Sequence, residues 1–136
     1  VAHWTDTYVG RPYIVDEYDC GHLAEDVLNE FNDEQVTLPS RSSFNVKSLS
    51  KDIADQKETY CDPITDAVDG DIALMKCRGL YHIGIYFSIS TKQYVLHNMK
   101  NVGSVVIHNL RDLPKYGMTL EGLYRYRPHN LRRNTA

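Results

Sequence analysis

The sequence is short of several things at once. No apolar run among its 136 residues approaches the ~18 needed to cross a bilayer as a helix. Cysteine is scarce: the three, Cys20, Cys61 and Cys77, make an odd count with no CxxC spacing, which argues against a disulfide framework or a cysteine-rich zinc site. Basic charge is not in excess, since 15 Lys and Arg face 18 Asp and Glu for a formal charge of −3. There is accordingly no electrostatic case for nucleic acid. The one basic cluster, Arg125, Arg127, Arg132 and Arg133, reads as a solvated tail. No charged-then-apolar leader opens the chain, and it begins on Val1 rather than Met, as a processed, trimmed or excised domain does. Internal repeats, low-complexity blocks and linkers are also missing.

What is present is ordinary globular composition, 42% hydrophobic and 24% charged, in a length that suits one domain over residues 1–136. Leu23, Ala24, Val27, Leu28 and Phe31 recur at helical spacing and predict a helix over 19–31. Asp19 is a suitable N-cap, which sets Cys20 at the first helical position. After a polar segment broken by Pro39, the pattern Val46, Leu49, Ile53 and Ala54 predicts a second, shorter helix. The stretch around Cys61-Asp62-Pro63 reads as loop, and Asp69-Gly70 as a turn. From there the pattern changes to strands over 72–76, 81–87, 94–98, 104–110 and 122–127. Helices followed by a meander of about five strands predict an α+β domain, with N-terminal helices packed on an antiparallel sheet.

The residues able to carry chemistry are one thiol and two imidazoles. A cysteine at a helix N-terminus faces unpaired N–H groups and the positive end of the dipole. Both favour the thiolate, and the same N–H groups can hold an oxyanion. In Tyr81-His82-Ile83-Gly84-Ile85-Tyr86-Phe87 the alternation puts the aliphatic set on one face and His82 with Gly84 on the other. Gly84 is positioned to let another element, such as the Cys20 helix, approach closely. A symmetric hairpin centred between Ile89 and Ser90 pairs His82 directly with His97, so that one imidazole can act as base while the other orients it. A one-residue shift in the loop would move the partner to the other face and make Asn98 the alternative orienter. His3, His22, His108 and His129 have no partner the sequence can place, and Cys61 and Cys77 read as inert thiols.

These residues resemble a known family. Asp19-Cys20-Gly21-His22-Leu23 is similar to the nucleophile motif of NlpC/P60 cysteine peptidases, usually Asp-Cys-Ser-Gly-Leu. Gly70-Asp71-Ile72-Ala73-Leu74, His82-Ile83-Gly84-Ile85-Tyr86 and Tyr94-Val95-Leu96-His97 resemble the segments that follow it, in the family's order. Upstream, Gly10-Arg11-Pro12-Tyr13 resembles the Gly-x-Pro-Tyr segment whose tyrosine borders the site. That pattern, with Tyr18-Asp19-Cys20 and Glu121 to Tyr126, looks most like phage and prophage tail-associated members. The resemblance implies a papain-like NlpC/P60 fold and a cysteine endopeptidase cutting amide bonds of peptidoglycan stem peptides, between γ-D-glutamate and the diamino acid. It further implies a place in a phage tail, or in the host cytoplasm before assembly, with tail proteins as partners. Cys20, His82 and His97 become the triad, with Tyr13, Tyr18 and Asp19 on the substrate or oxyanion side, and neither metal nor organic cofactor is called for. The chain departs from the pattern at Ile14-Val15-Asp16, where the family has Trp-Gly-Gly, and at Gly21-His22. Those departures bear on substrate recognition, and they keep two other functions in view: a structural tail component with a weak or vestigial site, and a related thiol amidase or acyltransferase.

Overall fold

The computed structural model describes residues 2–15, 17–32, 36 and 61–127. Helix α1 (Cys20–Phe31) starts where the sequence predicts. The Asp19 carboxylate accepts the Gly21 and His22 N–H groups at 2.9 and 3.1 Å. The Asp19 backbone N–H in turn donates to His22 Nδ1 at 3.2 Å, closing a capping box with histidine in the place usually held by Glu or Gln. Leu23, Ala24, Val27 and Leu28 are all buried and form the face that packs on the sheet. At the other end Asn32 Nδ2 donates to the Leu28 carbonyl, satisfying one of the last orphan acceptors.

Six strands follow: β1 (Cys61–Pro63), β2 (Ile72–Cys77), β3 (Leu80–Ile89), β4 (Lys92–Met99), β5 (Ser104–Asn109) and β6 (Met118–Tyr126). They form one antiparallel sheet in the order β1-β6-β2-β3-β4-β5. This corrects the expected fold class. The described residues are mostly a six-stranded antiparallel sheet with little and short helix, not the N-terminal helices on about five strands of a papain-like NlpC/P60 fold. Cys61-Asp62-Pro63, expected as loop, is an edge strand on β6, a place where the missing proline N–H costs no ladder bond. The segment Leu110–Tyr116, expected in part as strand, is a 3-10 helix capped at its start by Asn109, whose side chain accepts the Arg111 N–H. The predicted helix at Val46–Ala54 lies outside the described residues. No helix among them is long and apolar enough to cross a membrane.

The sheet has two unlike faces. Ile72, Ile83, Ile85, Phe87, Leu96 and Val105 pack with α1 in one cluster. On the other face Ala73, Met75 and Val95 pack with Leu113 of the 3-10 segment and Met118. The alternation within β3 therefore runs as predicted, but α1 covers the aliphatic face and not the face of His82 and Gly84. The expectation that Gly84 admits the Cys20 helix is corrected accordingly. What Gly84 admits is β4: a Cβ there would lie 2.6 Å from Val95 Cγ2, 2.9 Å from His97 Cβ and 2.9 Å from the Leu96 carbonyl oxygen.

The segment leading to α1 is tied to β5 and β4. Gly10 N–H donates to the Val105 carbonyl, Val105 N–H to Arg11, and Tyr13 N–H to Gly103, at 2.9 Å each. Ile14 and Tyr18 then bridge to each other, and Asn98 Nδ2 reaches across from β4 to the Tyr18 carbonyl at 2.8 Å. These bonds fix the chain one residue before the cap, and so fix where Cys20 enters the helix. At the far corner Asp71, at the start of β2, accepts both Nε and Nη2 of Arg125 at 3.0 and 2.9 Å, tying β2 to β6.

Gly84→Ala is expected to lower stability by about 1–3 kcal/mol, because two of the three clashes are with atoms that cannot swing away. Urea unfolding checks it, and a midpoint within error of wild type would contradict the close approach of β3 and β4.

Candidate active site

The register of the β3–β4 hairpin decides which side chains meet. Ile89 pairs with Lys92 across a two-residue turn, Ser90-Thr91, with Ser90 at φ 56°. The left-handed conformation suits the tight hairpin turns that match strand twist. The hairpin is thus centred one residue later than the sequence suggested, and Ile85 pairs with Leu96. That sets Gly84 against His97 and leaves His82 diagonal to it, so the predicted direct pairing of His82 with His97 is corrected. Moving the centre by one residue moves the register by two, which keeps both imidazoles on one face. The rings still meet: His82 Nε2 lies 2.8 Å from His97 Nδ1.

The β3–β4 ladder extends from the turn to Ile85 and Leu96, and residues 80–84 of β3 and 97–99 of β4 run on past its last pair. A cavity of about 230 Å³ lies there. Tyr81 and His82 of β3, Asn98 and Met99 of β4, Cys20 of α1 and Tyr13 of the leading segment share its wall. Cys20 belongs to the helix-covered core and His82 to the opposite sheet face, so it is this opening that brings them to one space. Cys20 is nearly enclosed, at 2% exposure.

Behind His82 the line of imidazoles goes on. His97 is fully buried, and its Nε2 lies 2.9 Å from Nδ1 of His108 on β5. His108 stacks on Tyr116 of the 3-10 segment with ring centroids 3.9 Å apart. Sequence reasoning passed over His108, yet a signal was there. The turn at Asn101-Val102-Gly103 sets Val95 against His108, which puts His97 and His108 on one face and diagonal, the same relation as His82 to His97. Among the described residues no group of three or more His, Cys, Asp and Glu is arranged to hold a metal ion.

Burial sets the charge of this chain. It pushes His82 from the usual 6.5 down to about 4. Burial likewise carries His97 well below its usual value, helped by repulsion from His82 and His108. His108 is lowered by burial too, with the Asp112 carboxylate pulling the other way. All three rings are therefore neutral near pH 7, each with one N–H and one lone pair.

The remaining residues singled out from the sequence divide. Tyr13 lines the cavity beside Cys20. Tyr18 and Asp19 do not: the Tyr18 hydroxyl lies 3.0 Å from Arg11 Nη1 and 3.1 Å from Asp26 Oδ2, and the Asp19 carboxylate caps α1. Asn98, the alternative orienter, points to the helix side and holds the Tyr18 carbonyl instead of His82. Its Oδ1 is a buried acceptor without a hydrogen-bond partner among the described residues. His22 is used in the capping box. His3 caps the short 3-10 turn Trp4–Thr7, Cys77 ends β2 on the cavity wall, and His129 lies outside the described residues. No family model matches the chain, and neither does any curated protein or solved structure.

The depressed imidazoles predict a pH dependence of stability. Between pH 6.5, the unfolded value, and about 4, the folded value of His82, the unfolded chain binds more protons than the folded one. Stability is then full above pH 6.5, is lost as pH falls from 6.5 to 4, by on the order of 3 kcal/mol for this ring, and levels off below that. His82→Gln should lose less over the same range, which separates the histidine from the carboxylates. Urea midpoints at pH 7, 5 and 4 test this, and parallel losses in the two proteins would contradict it.

Proposed function

We propose that the chain is a thiol-dependent amide hydrolase acting on peptides of the bacterial cell wall, in or with a phage or prophage tail. The observation that carries the reading is that Cys20, at the first position of α1, and His82 line one cavity while His97 holds the far nitrogen of His82. In this mechanism the Cys20 sulfur attacks the carbonyl carbon and its proton goes to His82 Nδ1, the ring nitrogen that His97 leaves unengaged. His82 then returns that proton to the departing amine, and water releases the acyl group from sulfur by the reverse use of the same ring. The Cys20 backbone N–H at the helix start, with the Tyr13 hydroxyl, stabilises the oxyanion.

Two features support a cell-wall peptide as substrate. The described lining residues include Arg78 and Lys100 and no carboxylate, which favours an acidic peptide. The motifs at Asp19-Cys20, His82 to Tyr86 and Tyr94 to His97 resemble those of NlpC/P60 peptidases, and the bond between γ-D-glutamate and a diamino acid follows from that resemblance. The enclosure of Cys20 favours a second reading, a structural tail component with a weak or vestigial site.

Cys20→Ala is expected to abolish release of peptide fragments from purified peptidoglycan, read by mass spectrometry, while circular dichroism stays that of wild type. Equal digestion by the two proteins would sink the mechanism. Absence of digestion by either would favour the structural role.

A further inference from the structure

His97 sits between two rings, and that position makes the tautomer of each ring depend on the next. A chain of neutral imidazoles linked nitrogen to nitrogen has two ordered polarities. In one, His82 Nε2–H donates to His97 Nδ1, and His97 Nε2–H donates to His108 Nδ1. His82 Nδ1 then carries a lone pair toward the cavity, as a base requires. In the other, every donor and acceptor is exchanged and His82 Nδ1 carries the proton, so the base is blocked. His82 and His97 alone leave the choice open, because the free nitrogen of His97 can complete either arrangement. The third ring extends the line to the Asp112 carboxylate, whose charge biases that choice.

We infer that His108 is a positioning residue for the proposed hydrolase: by accepting from His97 Nε2–H it fixes the polarity of the three-histidine chain and so keeps His82 Nδ1 free as base. The inference rests on the proposed function for its purpose and on the two nitrogen-to-nitrogen contacts, 2.8 and 2.9 Å, for its substance. The groups that face His108 favour this polarity. His97 approaches from β4, while Tyr116 stacks on the ring and Asp112 lies near it, both from the 3-10 segment. Lys115 is 3.4 Å from Asp112 and offsets part of its charge. A carboxylate at this end stabilises the N–H end of the chain, and the N–H end is His108 Nε2 in the productive order.

The same chain gives the proton taken from Cys20 somewhere to go. When His82 Nδ1 accepts it, His82 Nε2–H can pass its proton to His97 Nδ1 as His97 Nε2–H passes its own to His108 Nδ1. His82 and His97 end neutral, each with a proton on Nδ1, and the single positive charge resides on His108 near Asp112. The reverse transfer restores the starting tautomers as His82 Nδ1–H protonates the leaving amine. The buried His97 never carries the charge for longer than the transfer.

Two variants and two readouts test this. His108→Phe keeps an aromatic ring for Tyr116 but removes the acceptor; His108→Asn restores an acceptor near the Nδ1 position without a proton-carrying ring. Nitrogen-15 NMR of the histidine rings is expected to find His97 as the Nε2–H tautomer in wild type and in His108→Asn, and as a mixture in His108→Phe. Digestion of purified peptidoglycan is expected to slow by about 10–100-fold in His108→Phe, with partial recovery in His108→Asn and a shifted pH profile in both. His97 found as the Nδ1–H tautomer in wild type, or an unchanged tautomer and rate in His108→Phe, would overturn the inference. The tautomers are read without substrate, so a wild type that digests nothing defeats the proposed function and leaves the NMR result to decide this one.

Discussion

The approach of His97 to Gly84 is the constraint on which the site depends. Only a residue without Cβ leaves space for the Val95 and His97 side chains and the Leu96 carbonyl on that face of β3. Once His97 is seated there, its ring reaches diagonally to His82 on one side and to His108 on the other. The β3–β4 ladder has its last pair at Ile85 and Leu96, one position before this contact, and the cavity lies where the strands run on. One glycine thus governs both the line of imidazoles and the opening they face.

The two faces of the sheet supply different parts of the proposed site. On the helix side, Asn98 holds the Tyr18 carbonyl, Asp19 caps α1, and Cys20 is delivered to the helix start against the core. On the other side, burial keeps three imidazoles neutral, which leaves lone pairs for proton transfer where charged rings would have none. The proposed nucleophile and base therefore belong to opposite faces of the sheet and meet at the cavity wall. Changes on either face can move one partner without the other.

Much of this was legible in the sequence where local periodicity governs. Asp19 and the apolar spacing of Leu23 to Leu28 gave the helix start, and the alternation in β3 gave the sides of Ile83 and His82. The fold class was not legible, because the edge pairing of Cys61-Asp62-Pro63 with Tyr124, Arg125 and Tyr126 joins segments far apart in the chain. The hairpin register was missed by two because Ser90 accepts a left-handed φ that its residue type does not advertise. His108 was missed because its partner is set by a second hairpin register, although the diagonal logic that linked His82 to His97 applies to it unchanged.

Activation of the Cys20 thiol by His82, in spite of the enclosure of Cys20, is the step on which the proposed function rests. It is tested most directly by alkylating the folded protein with iodoacetamide at neutral pH and following each cysteine by peptide mass spectrometry. The account predicts that Cys20 reacts at least ~10-fold faster than Cys77, which is the more exposed thiol, and that His82→Gln removes the advantage. Faster labelling of Cys77, or a Cys20 rate indifferent to His82→Gln, would contradict it.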